Sequence, residues 1–291
     1  MREGASSERR CYEGRCILCR LAAIGFAVTA TRQVSIPCVP GDGLGNRFLL
    51  FEGRNLATWK HSLESLAIEL CDRDFDGILV VEAGDREGEE PVLKILNRDG
   101  GNGGVCLNGL RVAALWGGEE EGSFLMDGRS ISWHRCGDDV ITVHLAGQDM
   151  PQDMEFPPVQ AMGLRGVKVP FWNPHAVFSV EDVGAVDLVA LAEEVCQQRE
   201  LFPEGVNVEL VAHHGLDALR MRVHERGVGE TQACGSAAVA VALMAWAEGP
   251  VAPLVVVMNG GCLKLERAQD GGVLVRGKAC LGEPEERLLS N

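Results

Sequence analysis

The sequence predicts an α+β protein of two pseudo-symmetric domains, each a curved, barrel-like mixed or antiparallel sheet wrapped around a central helix. Two observations support this prediction. A glycine-rich segment that leads through a cysteine into an alanine-rich apolar helix occurs twice in the chain. Short apolar runs typical of strands surround both copies, without the regular strand–helix alternation of a doubly wound parallel sheet.

The two copies of this repeat are centred on Cys106 and Cys234, which lie 128 residues apart. They cover residues 97–116 and 225–244, and an Ala-Leu pair follows each cysteine at the same distance. A separation close to half of the chain indicates two related halves. Neither helix has a polar face, so each is expected to be buried on all sides by the strands of its own half. The two cysteines are then expected to face a cleft between the domains.

Local patterns predict the other elements. Apolar residues at helical spacing over residues 63–71 predict one amphipathic helix, and residues 186–199 predict another. Residues 270–272, Asp-Gly-Gly between two apolar runs, indicate a hairpin. Strands are predicted at residues 48–51, 78–81, 167–169, 176–178 and 206–211.

A leader of residues 1–35, expected to be disordered, precedes the two domains. The N-terminal domain is assigned to residues 36–148, with 277–291 as a candidate final segment, and the C-terminal domain to residues 149–276. The apolar part of the leader is too short to span a bilayer, and a secretory signal is the less favoured interpretation. Within the leader, Cys11, Cys16 and Cys19 have the spacing of one iron–sulfur pattern, but no clear fourth ligand accompanies them.

Charge and cysteine usage limit the classes of function. The formal net charge of −15 disfavours nucleic acid and anionic membranes as partners. Eleven cysteines, an odd number without paired spacing, indicate free thiols in a reducing compartment, and hence a cytoplasmic protein. Most of these cysteines are expected to be small core residues.

A cysteine at a helix N-terminus is suited to proton transfer. The helix dipole and free amides favour the thiolate, so the pKa of both thiols is expected to lie below the usual value of about 8.5. The same amides suit a substrate carboxylate. One sulfur of Cys106 and Cys234, as thiolate, removes an α-proton, while the other, as thiol, protonates the opposite face. This scheme needs no metal and no cofactor; the alternative is two ordinary buried cysteines.

At these residues the chain resembles the diaminopimelate epimerase family, over residues 37–285. Six segments occur in the order that this family has, and so many together are highly specific. The segments are Gly43–Asn46 with Phe48, Cys71–Gly77 with Val80–Glu82, Asn97–Arg111, Asn173–His175, Phe202–Val208 and Glu225–Ser236.

The resemblance implies a cofactor-independent isomerase that interconverts LL- and meso-diaminopimelate for lysine and cell-wall synthesis. A homodimer is common in the family. The resemblance places Cys106 and Cys234 at the acid/base positions, with His175 and Glu225 beside the reacting centre. It also implies a set of substrate-binding residues, namely Asn46, Asn97, Leu107, Asn108, Asn173, Asn207, Arg226, Gly235 and Ser236.

Departures from the family pattern bear on specificity. Leu107 and Trp172 stand where glycine is usual, and leucine is strained if that backbone needs a positive φ. The loop before Gly77 is shorter than is common. A proline- or hydroxyproline-type racemase, a catalytically inactive binding or structural homologue and a redox protein that uses both thiols are the alternative functions.

Overall fold

The protein is described by a computed structural model over residues 33–71, 74–84, 86, 88–151, 154–249 and 251–290. Eighteen strands in these residues form one continuous, curved, mixed sheet. The strands are β1 (Gln33–Asp42), β2 (Arg47–Glu52), β3 (Gly77–Glu82), β4 (Val92–Asn97), β5 (Glu121–Met126), β6 (Arg129–Arg135), β7 (Val140–Leu145), β8 (Pro158–Ala161), β9 (Leu164–Phe171), β10 (Asn173–Ser179), β11 (Asn207–His213), β12 (Ala218–Glu225), β13 (Gly229–Thr231), β14 (Leu254–Met258), β15 (Gly261–Arg267), β16 (Val273–Lys278), β17 (Cys280–Leu281) and β18 (Glu285–Ser290). The α-helices are α1 (Leu63–Leu70), α2 (Leu107–Gly117), α3 (Leu188–Cys196) and α4 (Gly235–Glu248), and 3-10 helices cover Gly53–Thr58 and Gly147–Asp149.

The same order of strand pairings occurs twice. In the N-terminal half, β1–β2 is antiparallel, β2–β3 parallel, β3–β4 antiparallel and β4–β5 parallel, and β5–β6–β7 is antiparallel. The C-terminal half repeats this order with β9–β10, β10–β11, β11–β12, β12–β14 and β14–β15–β16. An antiparallel β7–β16 pair joins the halves. The mixed pairing confirms the predicted α+β class.

One helix lies inside each half. The helix α2 packs against β1, β3, β4 and β7, and α4 packs against β9, β10, β11, β15 and β16. Residues 107–114 of α2 and 235–244 of α4 are buried without a break. Burial on every side explains why neither helix needs a polar face, as the apolar sequences predicted.

The other two helices cover the outer faces of the sheet. The predicted amphipathic helix is α1, which begins after Ser62, whose hydroxyl accepts a hydrogen bond from the amide of Ser65. Asp187 caps α3 in the same way. The buried side of α1 joins an apolar cluster with β2 and β3, and that of α3 joins a second cluster with β10 and β11. Each half therefore has a sheet between an inner and an outer helix.

The C-terminal strands complete the sheet. The predicted hairpin at residues 270–272 joins β15 and β16, with Gly271 at φ +85°. The end assigned to the leader at residue 35 is wrong, because residues 33–35 belong to β1, where Val34 pairs with Leu289 of β18. The cysteines at 11, 16 and 19 lie outside the described residues. The other domain boundaries stay predictions.

Candidate active site

Both repeat cysteines are N-cap residues of the inner helices. The Gly109 amide donates to Cys106 Sγ at 3.5 Å, and the Cys106 thiol lies 3.7 Å from the Asn46 amide oxygen. Cys234 Sγ lies 3.4 Å from the Ser236 hydroxyl. Cys106 is partly exposed and Cys234 is buried. The loop-to-helix position predicted for both sulfurs is confirmed.

The N-terminal ends of α2 and α4 contact each other. A Cβ atom on Gly235 would stand only 2.7 Å from Cβ of Leu107, so these residues, each directly after a cysteine, pack face to face. The side-chain amide of Asn108 donates to the Ala233 carbonyl at 3.0 Å. The two helices therefore bring both sulfurs to the junction of the two halves.

A buried arginine supports this junction. Arg111 is fully buried and donates from Nη2 to Asn108 Oδ1 at 2.7 Å. Burial lowers the pKa of the Arg111 guanidinium to about 10, against the raising effect of Cys106. Arg111 occurs in the first cysteine motif, yet it was not predicted as a site residue. Its hydrogen bond fixes the side-chain oxygen of Asn108 in the first turn of α2.

Glu225 is a carboxylate whose charge acts on both sulfurs. It ends β12, and its Oε1 accepts the hydroxyl of Thr231 at 2.5 Å. Burial is the largest cause of the raised pKa of Cys106 and Cys234. The negative charge of Glu225 also raises the pKa of both thiols. The structure therefore places Glu225 beside the two cysteines.

Burial outweighs the helix ends in setting the protonation of the thiols. Desolvation raises the pKa of Cys106, although first-turn amides lower it. Desolvation also raises the pKa of Cys234 well above the ordinary thiol value, and Glu225 adds to that rise. The expectation that the helix N-termini bring both pKa values below the ordinary value is therefore wrong, because the amides offset only part of the desolvation.

His175 forms a buried pair with a residue that was not predicted. Its Nδ1 atom lies 2.6 Å from Glu209 Oε1, and both side chains are fully buried. Burial raises the pKa of Glu209, whereas His175 lowers it. One signal in the sequence was available: Glu209 is a charged residue within the apolar run Val206–Val211, on the same strand face as Asn207.

Three predicted binding residues form one cluster near the end of β12. The backbone amide of Arg226 donates to Asn207 Oδ1 at 2.8 Å. Its guanidinium donates to the Glu204 carbonyl at 2.9 Å and to Asn173 Oδ1 at 3.4 Å. The structure thus brings Asn173, Asn207 and Arg226 together.

The remaining predicted polar residues lie in the N-terminal half. Asn46 donates to Asp76 Oδ2 at 3.1 Å, which directs its amide oxygen towards Cys106. Asn97 ends β4, and its Oδ1 lies 3.3 Å from where a Cβ on Gly103 would stand. Asn97 therefore lies beside the glycine-rich loop that leads to the cysteine.

The backbone strain considered for Leu107 is absent there, and a positive φ occurs at Trp172 instead. Leu107 is the first residue of α2 and has no positive φ, whereas Trp172 has φ +40° between β9 and β10. Trp172 stacks on Phe171 with ring centroids 4.6 Å apart, and the Arg129 guanidinium lies over its ring at 5.4 Å. Aromatic and cation–π contacts hold this conformation next to Asn173.

Within the described residues, no group of three or more His, Cys, Asp and Glu side chains is arranged to hold a metal ion. Every cysteine in those ranges is a free thiol. No helix in the same ranges has the length and apolarity to cross a membrane.

Comparisons with known proteins show which family the chain resembles. A family model described as diaminopimelate epimerase matches residues 171–282. Diaminopimelate epimerase of Picosynechococcus sp. is 30% identical over 268 residues, with 82% of this chain and 94% of the relative covered. That of Corynebacterium glutamicum is 32% identical over 281 residues, with 88% and 100% covered.

Solved structures share the fold at lower identity. A predicted epimerase from Pseudomonas aeruginosa has a TM-score of 0.64 at 18% identity, with 88% of this chain and 100% of that chain covered. A hydroxyproline epimerase from Agrobacterium vitis, with bound trans-4-hydroxy-L-proline, has a TM-score of 0.62 at 12% identity, with 88% and 92% covered.

The curated relatives and the family model define an isomerase of the epimerase class. Because relatives at 30% identity or more align over most of the chain, it belongs to the diaminopimelate epimerase family.

Proposed function

We propose that this enzyme interconverts LL- and meso-diaminopimelate by a two-cysteine acid/base mechanism that requires no cofactor. The observation that supports this most directly is the contact between the N-terminal ends of α2 and α4, whose N-caps are Cys106 and Cys234. The names of the relatives support diaminopimelate as the substrate.

The proposed step moves one proton across the α-carbon. A thiolate takes the α-proton and becomes a thiol, while the electron pair of the broken C–H bond stays on the substrate. The opposite thiol then gives its proton to the other face and becomes a thiolate, so the sulfurs exchange roles. First-turn amides with Asn108, Gly235 and Ser236 hold the α-carboxylate and stabilise the developing charge.

We assign the distal end of the substrate to the polar residues around the second cluster. Arg226 presents a guanidinium that pairs bidentately with a carboxylate. Asn173 and Asn207, which it contacts, and Asn46 and Asn97 from the other half supply amide groups. Leu107 closes the site on the α2 side. His175 and Glu225 are assigned to proton balance at the sulfurs.

The biological assignment follows from the substrate. An enzyme that makes meso-diaminopimelate supplies lysine and peptidoglycan synthesis, and free thiols fit the reducing cytoplasm. We assign no nucleic acid, membrane or metal to the enzyme, and a homodimer is the proposed assembly.

Proton exchange in heavy water tests the mechanism. Wild-type enzyme is expected to incorporate deuterium at the α-carbon of diaminopimelate as it epimerises. Cys106→Ser and Cys234→Ser are each expected to abolish epimerisation, because a serine hydroxyl is a far weaker acid than a thiol. The matched control is Cys262→Ser, since Cys262 is exposed on β15. Full activity in either site variant rejects the two-sulfur mechanism.

The same assay separates the substrate alternatives. Proline, hydroxyproline and glutamate are offered in parallel with diaminopimelate. Exchange with proline or hydroxyproline, and none with diaminopimelate, assigns the chain to the racemase alternative. The absence of exchange with every substrate, in a protein that is folded by circular dichroism, indicates an inactive homologue.

A further inference from the structure

The carboxylate of Asp76, directly before β3, accepts hydrogen bonds from three donors. Its Oδ2 atom accepts from Nδ2 of Asn46 at 3.1 Å and from the backbone amide of Arg47 at 2.9 Å. Its Oδ1 atom accepts from the guanidinium of Arg98 at 2.5 Å. The backbone of Asp76 is also hydrogen-bonded to Arg47 on one side and to Arg98 on the other. The carboxylate is therefore held in one orientation.

This carboxylate decides which way the side-chain amide of Asn46 faces. The backbone around Asn46 is fixed, because its carbonyl accepts from the Gly43 amide at 2.9 Å and the Gly45 amide donates to Asp42 Oδ1 at 2.8 Å. Two orientations of the amide, related by a flip, are then left. A carboxylate only accepts hydrogen bonds, so Asp76 selects the orientation in which Nδ2 faces it and Oδ1 faces away.

The oxygen of Asn46 faces the first of the two sulfurs. The thiol of Cys106 lies 3.7 Å from Asn46 Oδ1, within the range of a hydrogen bond from sulfur. A hydrogen bond to the neutral form of an ionisable group disfavours its charged form. An acceptor at this place therefore suits a thiol, which has a proton to donate, and not a thiolate.

Other groups that act on Cys106 lie on different elements. Burial is the largest cause of its raised pKa, and the amides of Gly109 and Asn108 lower that pKa. The charge of Glu225 on β12 raises it, and that of Arg111 on α2 lowers it. Beside Asp76, the charged groups are Arg98, which pairs with it, and the pair Arg47–Asp74.

The C-terminal half has the same asparagine and arginine without the carboxylate. Counted from the paired strands β2–β3–β4 and β10–β11–β12, the matching residues are Asn46 and Asn173, Asp76 and Val206, and Arg98 and Arg226. Arg226 donates directly to Oδ1 of Asn173 at 3.4 Å. In the N-terminal half Asp76 binds both the arginine and the asparagine, so the amide presents its oxygen to the site instead.

We propose that Asp76 is a positioning residue that acts on Cys106 through Asn46, an inference that rests on the proposed two-cysteine function. Asp76 fixes the Asn46 amide with its oxygen towards Sγ, so the thiol keeps a hydrogen-bond acceptor while the site is empty. A thiolate at Cys106 meets the same acceptor without a proton to share. The arrangement therefore shifts Cys106 towards its thiol form.

Thiol labelling in a double-mutant cycle tests the proposal without substrate. Iodoacetamide alkylation of Cys106 and Cys234 is measured separately by mass spectrometry in wild type, Asp76→Val, Asn46→Ala and the double variant. Asp76→Val copies the C-terminal half, so Arg98 can donate to Asn46 Oδ1 and the amide turns its N–H groups towards Cys106. Labelling of Cys106 at about pH 8 is then expected to be about tenfold faster, which corresponds to a midpoint about one pH unit lower. The rate at Cys234 is expected to stay unchanged.

The effect of Asp76→Val is expected to disappear when Asn46 is replaced by alanine, because no amide then links residue 76 to the sulfur. A tenfold effect that persists in that background overturns the proposal, since it indicates a direct effect of the charge. An unchanged Cys106 rate in folded Asp76→Val, or an equal change at Cys234, also overturns it. The matched control is Glu82→Gln, which removes one negative charge at the other end of β3, where Glu82 pairs with Lys94.

The variant Asp76→Asn covers the case in which Asp76→Val does not fold. Its single side-chain oxygen, with two lone pairs, cannot accept from Arg98, Arg47 and Asn46 together. Faster labelling of Cys106 is therefore expected again, and again only while Asn46 is present; an unchanged rate refutes the proposal. Failure of the two-cysteine function is separate, because it is seen as activity in Cys106→Ser, whereas labelling needs no turnover.

Discussion

Replacing Gly235 by alanine is expected to push apart the two helix ends that carry the sulfurs. The new Cβ would stand 2.7 Å from Cβ and 3.2 Å from Cδ1 of Leu107. Carbon atoms in contact are separated by about 3.5–4.0 Å, so α2 and α4 must move apart by about 1 Å. Overpacking of this kind costs about 1–3 kcal/mol of stability. A misplacement of about 1 Å can lower the catalytic rate about 100-fold.

The assay is a double-mutant cycle on kcat/KM and on the free energy of unfolding by urea. Leu107→Gly removes the opposing Cβ, so the double variant is expected to regain part of the rate lost in Gly235→Ala. It is also expected to lose stability, because removing a buried leucine side chain leaves a cavity that costs about 2–5 kcal/mol. Gly117→Ala is the control, since no non-neighbouring heavy atom lies within 4 Å of its added Cβ. Wild-type kcat/KM in Gly235→Ala, or no recovery in the double variant, refutes this account of the sulfur spacing.

Three further predictions concern protonation and metal dependence. Because burial raises the pKa of Cys106 and Cys234, little thiolate is present at neutral pH, and kcat/KM is expected to rise with pH to at least about 8.5; a pH–rate profile that is flat from pH 6 to 9 contradicts this. Dialysis against a chelator is expected to leave activity unchanged without added pyridoxal phosphate, and a loss that added metal restores counts against the mechanism. The amides of Gly147 and Gly272 lower the pKa of Asp270 to about 2, so its stabilising effect is present above about pH 4 and lost as pH falls through about 2. Asp270→Asn is therefore expected to reduce the difference in unfolding free energy between pH 5 and pH 2, and an unchanged difference argues against a role for this carboxylate.

Local and repeated patterns in the sequence were sufficient for much of the fold. The periodicity of residues 63–71 predicted α1, and the two alanine-rich segments predicted buried inner helices. Asp270 and its two following glycines predicted the β15–β16 turn. The joining pair β7–β16 was not predictable, because it links residues far apart in sequence and no local pattern specifies such a pairing.

The pKa values of the two thiols and the contact between His175 and Glu209 depend on tertiary structure. The helix N-termini favour thiolates, but the sign of the net pKa change is set by burial, which the sequence around each cysteine does not reveal. Glu209 is one charged residue in an apolar strand, and its partner His175 lies 34 residues earlier in the chain. Only the parallel pairing of β10 with β11 brings the two together. The motif residues were accessible to sequence comparison, whereas this contact was not.

The two halves share one architecture but differ in their buried ionisable residues. These two facts have different consequences for the proposed reaction. Two equivalent helices can place a sulfur on each face of one carbon, because equivalent positions in the two halves point towards their junction. Two equivalent sets of carboxylates, however, would concentrate like charges in a desolvated site and hold both thiols protonated. The positions of His175 and Glu209 are Phe48 and Leu79 in the other half, so only the C-terminal half carries this ionisable pair. That asymmetry gives the starts of the two inner helices different electrostatic surroundings.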